Sequence, residues 1–514
     1  MKRSTDNTII LLHRKKFLQP FEKILAIEEL RGLRMKYTPS EKTDMFSVKL
    51  EDKQKNKLLA RLAYFDWAAS EVFEPVLQSC REGTNPNTPG PDYSFPNRRV
   101  LRFGPHNFHE YRGKFFPQLV RSICNIAGLS AGSKVLDPMC GSGTTLVESR
   151  ALDLISYGLD KNPLSVLITE VKTGSIGWKK SQIARIRSDI QKAMSDNQKF
   201  LQPWEQIDYE YLKRWFSVVA LNEIATLLNK INAIEDEQTR KFAQICLSDT
   251  IRTVSYQKAE DLRVRKKIFN YVKGDATKLF KEKVSENLDA VDRLSAVDSD
   301  HNTRFYVKNG DAREPQNCFK EEVGEIDAII TSPPYATALP YLDTDRLSLV
   351  TLRLLSRSEH KVVESEMIGT REITEKQRMK DWDLFQEHRD ELPNSVTKEI
   401  DDLSLKYHNN NVGFRRRNLP TLLAKYFLNM NCVLQGMKTM LKDGAPAYVV
   451  IGNNSTIVNG MHHVIPTDEL LEDMAKFIGF KISTKVDMEL LASRDIFKKN
   501  RGSKEKILHL VNTI

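Results

Sequence analysis

The spacing of hydrophobic residues changes several times along the chain, and each change predicts secondary structure. In the first part, the short apolar runs IILL (9–12) and MFSVKL (45–50) predict strands. The segments FEKILAIEELRGLRM (21–35) and KNKLLARLAYFDWAASEVFEPVL (55–77) have the three- to four-residue spacing of amphipathic helices. This order of elements predicts a small α+β module over residues 1–81.

Strands and helices alternate regularly after a break in composition. Residues 82–99 carry four prolines and two glycines, which is typical of a linker. The strand-like runs SKVLDP (133–138) and ISYGLD (155–160) then flank the helical run TTLVESRAL (144–152). Strands separated by helices predict a parallel, doubly wound α/β sheet in the second domain, which we place at residues 100–514.

Two long insertions interrupt this second domain. Residues 177–300 are mostly helical by periodicity, and the sheet resumes with FYVKNGDA (305–312) and EIDAIITSPPY (325–335). Residues 342–418 form a second, polar insertion with little strand character, which we interpret as a substrate loop. The alternation of helix and strand in 419–514 closes the sheet.

Composition narrows the function classes. The 514 residues carry a formal net charge of +10, which favours a polyanionic partner such as nucleic acid. Six cysteines occur without a CxxC pair and ten histidines without an HExxH pattern, so we expect neither a disulfide framework nor a protein-bound metal. Apolar runs are too short for a membrane span or a signal peptide, and we expect a cytoplasmic protein with no membrane partner.

A glycine turn after a strand marks the first candidate site. The stretch VLDPMCGSGTT (135–145) joins a strand end to a helix and contains Asp137, Gly141 and Gly143. Ligands of doubly wound sheets bind at the carboxyl ends of the strands, where glycine lets the backbone approach closely. The stretch lacks the GK[ST] of a triphosphate-binding loop. Asp160, at the end of the next strand, is a carboxylate suited to ribose hydroxyls.

A second candidate site is TSPPY, residues 331–335, where a predicted strand ends in two prolines. Proline cannot continue a sheet ladder, so the strand stops there. DPMCGSGTT, the acidic strand end and TSPPY, in this order, resemble the Rossmann-like S-adenosylmethionine-dependent amino-methyltransferases. The SPPY form is associated with the DNA cytosine-N4 enzymes of that family.

The resemblance implies S-adenosylmethionine as the cofactor and assigns residues to it. HEYRGKFFPQLV (109–120) is similar to the family segment whose aromatic residue and proline wall the methionine part of the cofactor. The implied cofactor residues are Lys114, Phe115, Phe116, Pro117, Asp137, Pro138, Gly141, Ser142, Gly143, Thr144 and Asp160. A third carboxylate, for the adenine amino group, is Asp311 in GDAREP; the alternative is Asp275 in GDATKL.

The chemistry of an amino group accounts for the SPPY residues. An exocyclic amine on a base is a poor nucleophile because its lone pair is delocalised into the ring. Hydrogen-bond acceptors at Ser332 Oγ and the Pro333 carbonyl would draw its nitrogen towards a tetrahedral geometry, and Pro334 would rigidify the corner. Tyr335 would stack on an extruded base. Tyr341 lies either in this base pocket or in the core.

Basic patches in the two insertions are candidate nucleic-acid contacts. RVRKK in the first insertion contributes Arg263 and Arg265. GFRRRN in the second contributes Arg415, Arg416 and Arg417. We expect residues 177–300 to read the target sequence, and HNNNVGFRRRN (408–418) to form a loop that closes over the substrate. The alternative for each patch is a solvated charged face.

Three functional alternatives remain beside DNA cytosine-N4 methylation. A tRNA guanine-N2 methyltransferase is one, because the N-terminal unit loosely resembles the ferredoxin-like module of some such enzymes. DNA adenine-N6 methylation is another, and a non-catalytic nucleic-acid-binding protein is the third. The expected partner is double-stranded DNA, and RNA is the alternative. A cognate restriction endonuclease is a further candidate partner, as in restriction-modification.

Overall fold

The computed structural model describes residues 7–513, except 41–42, 71–72, 86–98, 112, 114–115, 197–200, 259–265, 299–300, 337–340, 372, 409–412, 459 and 489–504. The predicted fold class is confirmed. A small α+β module precedes an α/β domain with a doubly wound sheet and a helical insertion.

The N-terminal module is a five-stranded sheet in the order β2-β3-β1-β4-β5 with helices between its strands. Its first four strands and two helices follow the ferredoxin-like β-α-β-β-α-β pattern. The elements are β1 (Asn7–Arg14), α1 (Pro20–Gly32), β2 (Lys36–Pro39), β3 (Met45–Glu51), α2 (Asp52–Arg61), β4 (Phe65–Ala69), β5 (Phe73–Pro75) and α3 (Leu77–Gly83).

The prediction of one helix over 55–77 is wrong. Helix α2 ends at Arg61, and the chain then forms β4, which pairs antiparallel with β1. Phe65 and Ala68 are buried and pack into the core of the module. Tertiary pairing with β1 therefore overrides the helical periodicity of this segment.

The α/β domain contains a seven-stranded sheet in the order β13-β14-β10-β9-β6-β7-β8. The pairs from β10 to β8 are parallel, and β14 is antiparallel to both β10 and β13. The strands are β6 (Lys134–Asp137), β7 (Ile155–Asp160), β8 (Phe305–Asn309), β9 (Ala328–Thr331), β10 (Pro446–Gly452), β13 (Phe480–Met488) and β14 (Glu505–Asn512), with a separate hairpin of β11 (Asn454–Val458) and β12 (Met461–Ile465).

Helices cover both faces of this sheet. On one face, Ala328 and Ile330 of β9 pack with α4 and the N-terminal module; on the other, Ile329 packs with the helices that lead to β10. Parallel strands are buried on both faces in this way. The helices are α4 (Pro117–Ile126), α5 (Thr144–Arg150), α6 (Pro163–Ser175), α12 (Pro315–Cys318), α17 (Phe414–Met440) and α18 (Thr467–Ile478).

Both insertions are helical. The first forms α7 (Lys180–Ser195), α8 (Gln206–Leu212), α9 (Val218–Asn232), α10 (Glu237–Val254) and α11 (Asp275–Ser295). The second forms α13 (Tyr341–Thr351), α14 (Arg357–Glu366), α15 (Glu375–Glu387) and α16 (Asn394–His408). The second insertion is thus mostly helical, and Val396, Ile400 and Leu403 form a buried helical stripe against α17; its role as a substrate loop stays a prediction. Residues 409–412 of the expected closing loop lie outside the described residues.

A fully buried ionic cluster joins the N-terminal module to the α/β domain. Glu148 of α5 accepts hydrogen bonds from Arg81 of α3 at 2.9 and 3.2 Å and from Arg121 of α4 at 2.9 Å. His106 lies 2.8 Å from the same carboxylate. Burial would raise the pKa of Glu148, but the two guanidinium groups outweigh it and hold this pKa well below its usual value. The module is thus fixed to α5 through charges that have no contact with solvent.

Candidate active site

The carboxyl ends of β6, β7 and β9 border one cleft. The chain leaves β6 towards β7 on one side and later returns to β9 on the other, so the crevice of a doubly wound sheet opens here. The cleft encloses about 720 Å³, open to solvent. Its walls combine apolar and polar groups from six separate segments: Tyr111, Gly113, Pro138, Met139, Gly141, Asp160, Lys161, Asn162, Gly310, Asp311, Ala312, Ser332, Pro334, Glu366, Met367 and Ile368.

The glycine turn after β6 can be built only with glycine. Gly141 and Gly143 have φ values of +50° and +78°, in the left-handed region. A Cβ at Gly143 would lie 2.6 Å from Thr169 Cγ2 of α6. Thr169 Oγ1 also donates a 2.9 Å hydrogen bond to the Gly141 carbonyl. The turn is held close to α6, and its backbone forms one wall of the cleft.

Asp160 is the carboxylate best placed to meet a ligand. Its Oδ2 accepts from the Gly141 amide at 2.9 Å and its Oδ1 from the Asn162 amide at 2.8 Å. Burial raises the pKa of Asp160 to about 6, against the opposing effect of these two N–H groups. A carboxylate has about four acceptor positions, so Asp160 keeps free lone pairs in the cleft.

Asp137 lies behind the turn rather than in the cleft. It is buried and accepts from the Met139 amide at 3.2 Å. Burial raises the pKa of Asp137 to about 6, and the Thr145 hydroxyl opposes that rise. The residue shapes the glycine turn from within. Ser142 and Thr144 are also buried beside it and do not line the cleft.

Asp311 lines the cleft, and both of its carboxylate oxygens accept hydrogen bonds. Its Oδ1 accepts from the Arg313 amide at 3.0 Å and Nε at 2.8 Å, and its Oδ2 accepts from Arg313 Nη2 at 2.5 Å. Lys161 Nζ lies 3.5 Å from Oδ2. Burial would raise the pKa of Asp311, but the bonds to Arg313 outweigh it and lower this pKa. The alternative, Asp275, begins α11 in the first insertion and does not line the cleft.

The proline corner follows β9 directly. Ser332 and Pro334 line the cleft, and Pro333 is buried between them. The Tyr335 hydroxyl donates a 2.7 Å hydrogen bond to Glu505 Oε1 of β14. The ring packs on Gly452, where a Cβ would come within 2.8 Å of it. Tyr335 is therefore anchored at the ends of β10 and β14, adjacent to the cleft.

Several predicted residues lie elsewhere or outside the described part of the chain. Phe116 stacks under the Arg99 guanidinium at 4.7 Å, and Pro117 starts α4; neither lines the cleft, where Tyr111 and Gly113 are found instead. Arg416 and Arg417 are exposed in the first turn of α17. The remaining predicted residues or side chains lie outside the described part of the chain: Lys114, Phe115, Arg263, Arg265, and the side chains of Tyr341 and Arg415.

The segment at the end of α14 lines the cleft, and the sequence did not predict its individual contacts. Glu366 forms an ion pair with Lys161 at 2.8 Å, and its carbonyl accepts from Arg313 at 3.3 Å. Gly369 follows with φ +81°, and a Cβ there would lie 3.2 Å from Pro334. The polar composition of the second insertion gave no signal for these contacts, of which the Lys161–Glu366 pair joins positions about 200 residues apart.

The cleft residues fit S-adenosylmethionine. Asp160 offers free carboxylate lone pairs for vicinal hydroxyls, and Gly141 leaves the backbone accessible. Pro138, Met367 and Ile368 provide apolar surface for an adenine ring. These residues, with Tyr111 and Gly113, would hold the cofactor.

The described residues show neither a metal-binding group nor a membrane-spanning helix. Within the described residues, no group of three or more His, Cys, Asp or Glu side chains is arranged to hold a metal ion. No helix in the described part of the chain is long and apolar enough to cross a membrane.

Comparison with known proteins points to one reaction. Residues 109–199 match the family model UPF0020, described as RMKL-like, methyltransferase domain. The type II methyltransferase M.MvaI of Kocuria varians is 23% identical over 398 residues, covering 72% of this chain and 81% of that protein. M.BsoBI of Geobacillus stearothermophilus, also a type II methyltransferase, is 25% identical over 410 residues, covering 73% and 78%.

A shorter match is to an enzyme whose name gives tRNA as its substrate. The tRNA (guanine(10)-N2)-dimethyltransferase of Methanothermobacter thermautotrophicus is 38% identical over 50 residues, covering 10% of this chain and 15% of that protein. The short and the long matches agree on methyl transfer, and the fold and family imply S-adenosylmethionine as the methyl donor.

Proposed function

We propose that this chain, a methyltransferase homologous to the type II methyltransferases, methylates the N4 amino group of a specific cytosine in double-stranded DNA. The observation that carries the proposal is the position of Ser332 and Pro334 in the same cleft as Asp160 and Asp311. An amino-group acceptor corner and a set of cofactor carboxylates thus face one volume.

In this reaction the corner orients the amine. Ser332 Oγ and the Pro333 carbonyl accept the two amino hydrogens, which localises the nitrogen lone pair. Neither proline has an N–H that would compete for the Ser332 oxygen. The base reaches the corner by extrusion from the duplex, because a paired and stacked amino group is inaccessible there. Tyr335, held by Glu505, supports the corner from the β10 side.

Methyl transfer requires little further chemistry from the protein. S-adenosylmethionine supplies an electrophilic methyl group on a sulfonium sulfur. The amino nitrogen forms the new N–C bond as the S–C bond breaks and its electrons return to sulfur. The methylated nitrogen is then cationic and loses one proton to solvent, so no strong base is needed beforehand. The cleft contributes mainly by holding the two reactants in line.

Cofactor contacts are divided among the cleft carboxylates. Asp160 accepts the ribose hydroxyls through its free lone pairs. Asp311 accepts the adenine amino group, and Lys161, the most distant of its donors at 3.5 Å, gives way to it. The backbone of Gly141 and Gly143 follows the cofactor closely.

We assign DNA contacts to exposed arginines and to the first insertion. Arg416 and Arg417 lie exposed at the start of α17, where they would contact phosphates. The helical insertion α7 to α11 is the candidate for reading the target sequence. A restriction endonuclease with the same target would be the natural partner of such an enzyme.

One observation favours a second candidate, guanine-N2 methylation of tRNA. The N-terminal module has the ferredoxin-like strand order, and a 50-residue segment matches a tRNA guanine-N2 dimethyltransferase. The longer matches to type II methyltransferases and the serine at position 332 weigh towards DNA. Adenine N6 is the third candidate acceptor, since its amine has the same chemistry.

Product analysis tests the proposal directly. The protein is incubated with methyl-labelled cofactor and a mixture of DNA and tRNA, and the nucleosides are identified by mass spectrometry. N4-methylcytosine in DNA is the expected product. N2-methylguanosine in RNA or N6-methyl-2′-deoxyadenosine in DNA would replace the proposal with the corresponding alternative.

A substitution tests the role of the corner. Ser332→Ala should retain cofactor binding and lower kcat at least about 100-fold, because an acceptor made for the transition state is lost. Ser181→Ala, on the exposed side of α7, is the matched control and should leave kcat unchanged. An unaltered kcat in Ser332→Ala would remove Ser332 from the mechanism.

A further inference from the structure

A second cavity, with about 450 Å³ of empty space that includes open solvent, lies between the N-terminal module and the α/β domain. Its walls come from the turn after β1, from α1 and β4, and from the start of α4; we call it the junction cavity. No step of the proposed methyl transfer uses it.

Two buried polar atoms of the cavity wall lack a hydrogen-bond partner. Tyr64 Oη and Gln118 Oε1 belong to side chains that are 1% and 6% exposed, and neither is bonded to any described residue. Gln118 donates its amide hydrogens to Glu82 Oε1 at 2.9 Å and to the Val100 carbonyl at 2.6 Å. Its oxygen is therefore fixed as an acceptor. Buried groups without partners are costly, and a ligand that pairs with them recovers that cost.

Four of the charged groups inside the cavity form two ion pairs. Lys15 pairs with Glu82 at 2.6 Å, and Arg99 pairs with Glu22 at 2.5 Å. Asp66 accepts from a neighbouring serine hydroxyl at 2.9 Å, and burial raises its pKa. The interior thus offers hydrogen-bonding groups rather than a free positive charge. Such a lining suits the edge of a nucleobase better than a phosphate.

The rim of the cavity adds an aromatic ring and a cation. Phe17 is 49% exposed, and Lys16 beside it is also exposed. An exposed aromatic ring is a stacking platform for an unpaired base, and an adjacent lysine meets the phosphate attached to it.

The junction cavity is close to the catalytic cleft along the chain. Gly113 lines the cleft and Gln118 lines the cavity, five residues later. A chain spans at most about 3.6 Å per residue, so the two linings are within about 18 Å of each other. A few nucleotides of one DNA strand cover that distance.

We infer that the junction cavity takes one unstacked base of the DNA strand that carries the target, a few nucleotides from it. The base stacks on Phe17, its edge meets Tyr64 Oη and Gln118 Oε1, and Lys16 contacts its phosphate. The inference rests on the proposed function, because it assigns part of the same substrate.

An abasic scan tests this contact. Target duplexes are prepared with a single abasic site at each position flanking the target, and binding to the full-length protein is measured by fluorescence anisotropy. One position should lower the affinity of the unmodified protein about ten-fold, as expected for loss of one stacked base. In Lys16→Ala/Phe17→Ala the intact duplex should bind about ten-fold more weakly, and the abasic site should cost nothing further.

A matched double variant controls for general surface effects. Lys23→Ala/Ile24→Ala removes an exposed lysine and an exposed apolar side chain from α1 of the same module, outside the cavity lining. It should bind like the unmodified protein and keep the abasic penalty. Equal abasic penalties in the cavity variant and in this control would overturn the inference.

Tyr64→Phe separates ligand contact from folding. It removes the unpaired hydroxyl without changing the ring, so it should keep the thermal stability and reduce discrimination among bases at the identified position. Unchanged discrimination would remove Tyr64 from the contact. Free nucleoside monophosphates provide a further test. If they bind the cavity without competing with DNA, the ligand is a soluble nucleotide rather than a DNA strand, and the assignment is overturned.

Failure of the methylation proposal and failure of this inference give different experimental results. If methylation assays give an RNA product, the same scan on that RNA decides whether any nucleic-acid strand enters the cavity, and the assignment to DNA is refuted. If DNA is methylated but both double variants behave alike, the proposed function stands and the inference falls.

Discussion

Asp160 allows the most detailed prediction, because its charge is costly to the free protein and useful to the cofactor complex. Burial raises its pKa from 3.8 to about 6. Each pKa unit corresponds to about 1.4 kcal/mol, so keeping this carboxylate charged costs the fold about 3 kcal/mol at neutral pH. That cost disappears as the pH falls below about 6, where the folded protein binds the proton.

Asp160→Asn changes stability and binding differently. The amide removes the burial cost of the charge but cannot accept from both the Gly141 and the Asn162 amides, a loss of about 1.5–3 kcal/mol. The two effects nearly cancel, so we expect a change in unfolding free energy below about 1.5 kcal/mol. Cofactor affinity should fall at least about ten-fold, because the acceptor for the ribose hydroxyls is weakened.

Calorimetric titration of S-adenosylmethionine at pH 5, 6, 7 and 8 measures the effect. The unmodified protein should bind more weakly as the pH falls through about 6, since protonated Asp160 loses acceptor capacity. Asp160→Asn should remove most of this pH dependence. Asp383→Asn, an exposed carboxylate on α15, is the control and should behave like the unmodified protein. Equal affinities for Asp160→Asn and the control at pH 8 would refute the assignment.

Two further substitutions test the glycine turn and the module interface. Gly143→Ala should abolish cofactor binding and lower stability by about 2 kcal/mol or more, measured by denaturant unfolding, because strain at φ +78° adds to a 2.6 Å contact. Gly444 has φ +71° and open space around it, so Gly444→Ala should lower stability by about 1–2 kcal/mol and leave cofactor binding intact. Equal effects of the two substitutions would show that the contact with Thr169 is unimportant. Glu29 of α1 accepts a hydrogen bond from Asn125 of α4, and burial raises its pKa to about 7, so the protein should become more stable by about 1.4 kcal/mol as the pH falls from 8 to 6; Glu29→Gln should flatten that profile, and an unchanged profile would place the titrating group elsewhere.

The strands and the doubly wound class of the α/β domain could be predicted because their signals are local. Apolar runs that end in Asp137, Asp160 and Thr331 mark strands, and parallel strands place such ends on one edge. The cleft therefore contains Asp160, Asp311 and Ser332 where the sequence placed them. Gly141 and Gly143 were identifiable because side chains are excluded from such a turn.

The errors arose where tertiary contacts decide the outcome. The segment that forms β4 has helical spacing, and only its pairing with β1 makes it a strand. Phe116 and Tyr111 lie on the same short segment, and the path of the chain decides which ring reaches the cleft. The pairing of Glu366 with Lys161 has no local signature at all.

The buried cluster around Glu148 limits how this protein could have been assembled. Glu148 belongs to α5, the helix that starts at the glycine turn, and one of its two guanidinium partners, Arg81, comes from the N-terminal module. Removing one partner of a buried ion pair costs about 3–5 kcal/mol, comparable to the whole stability of many domains. A chain shortened by removal of the N-terminal module would retain every cleft residue but would lack Arg81. Recombination could exchange the N-terminal module only for another that supplies an arginine at the same place, so the module and the cofactor helix are expected to be inherited together.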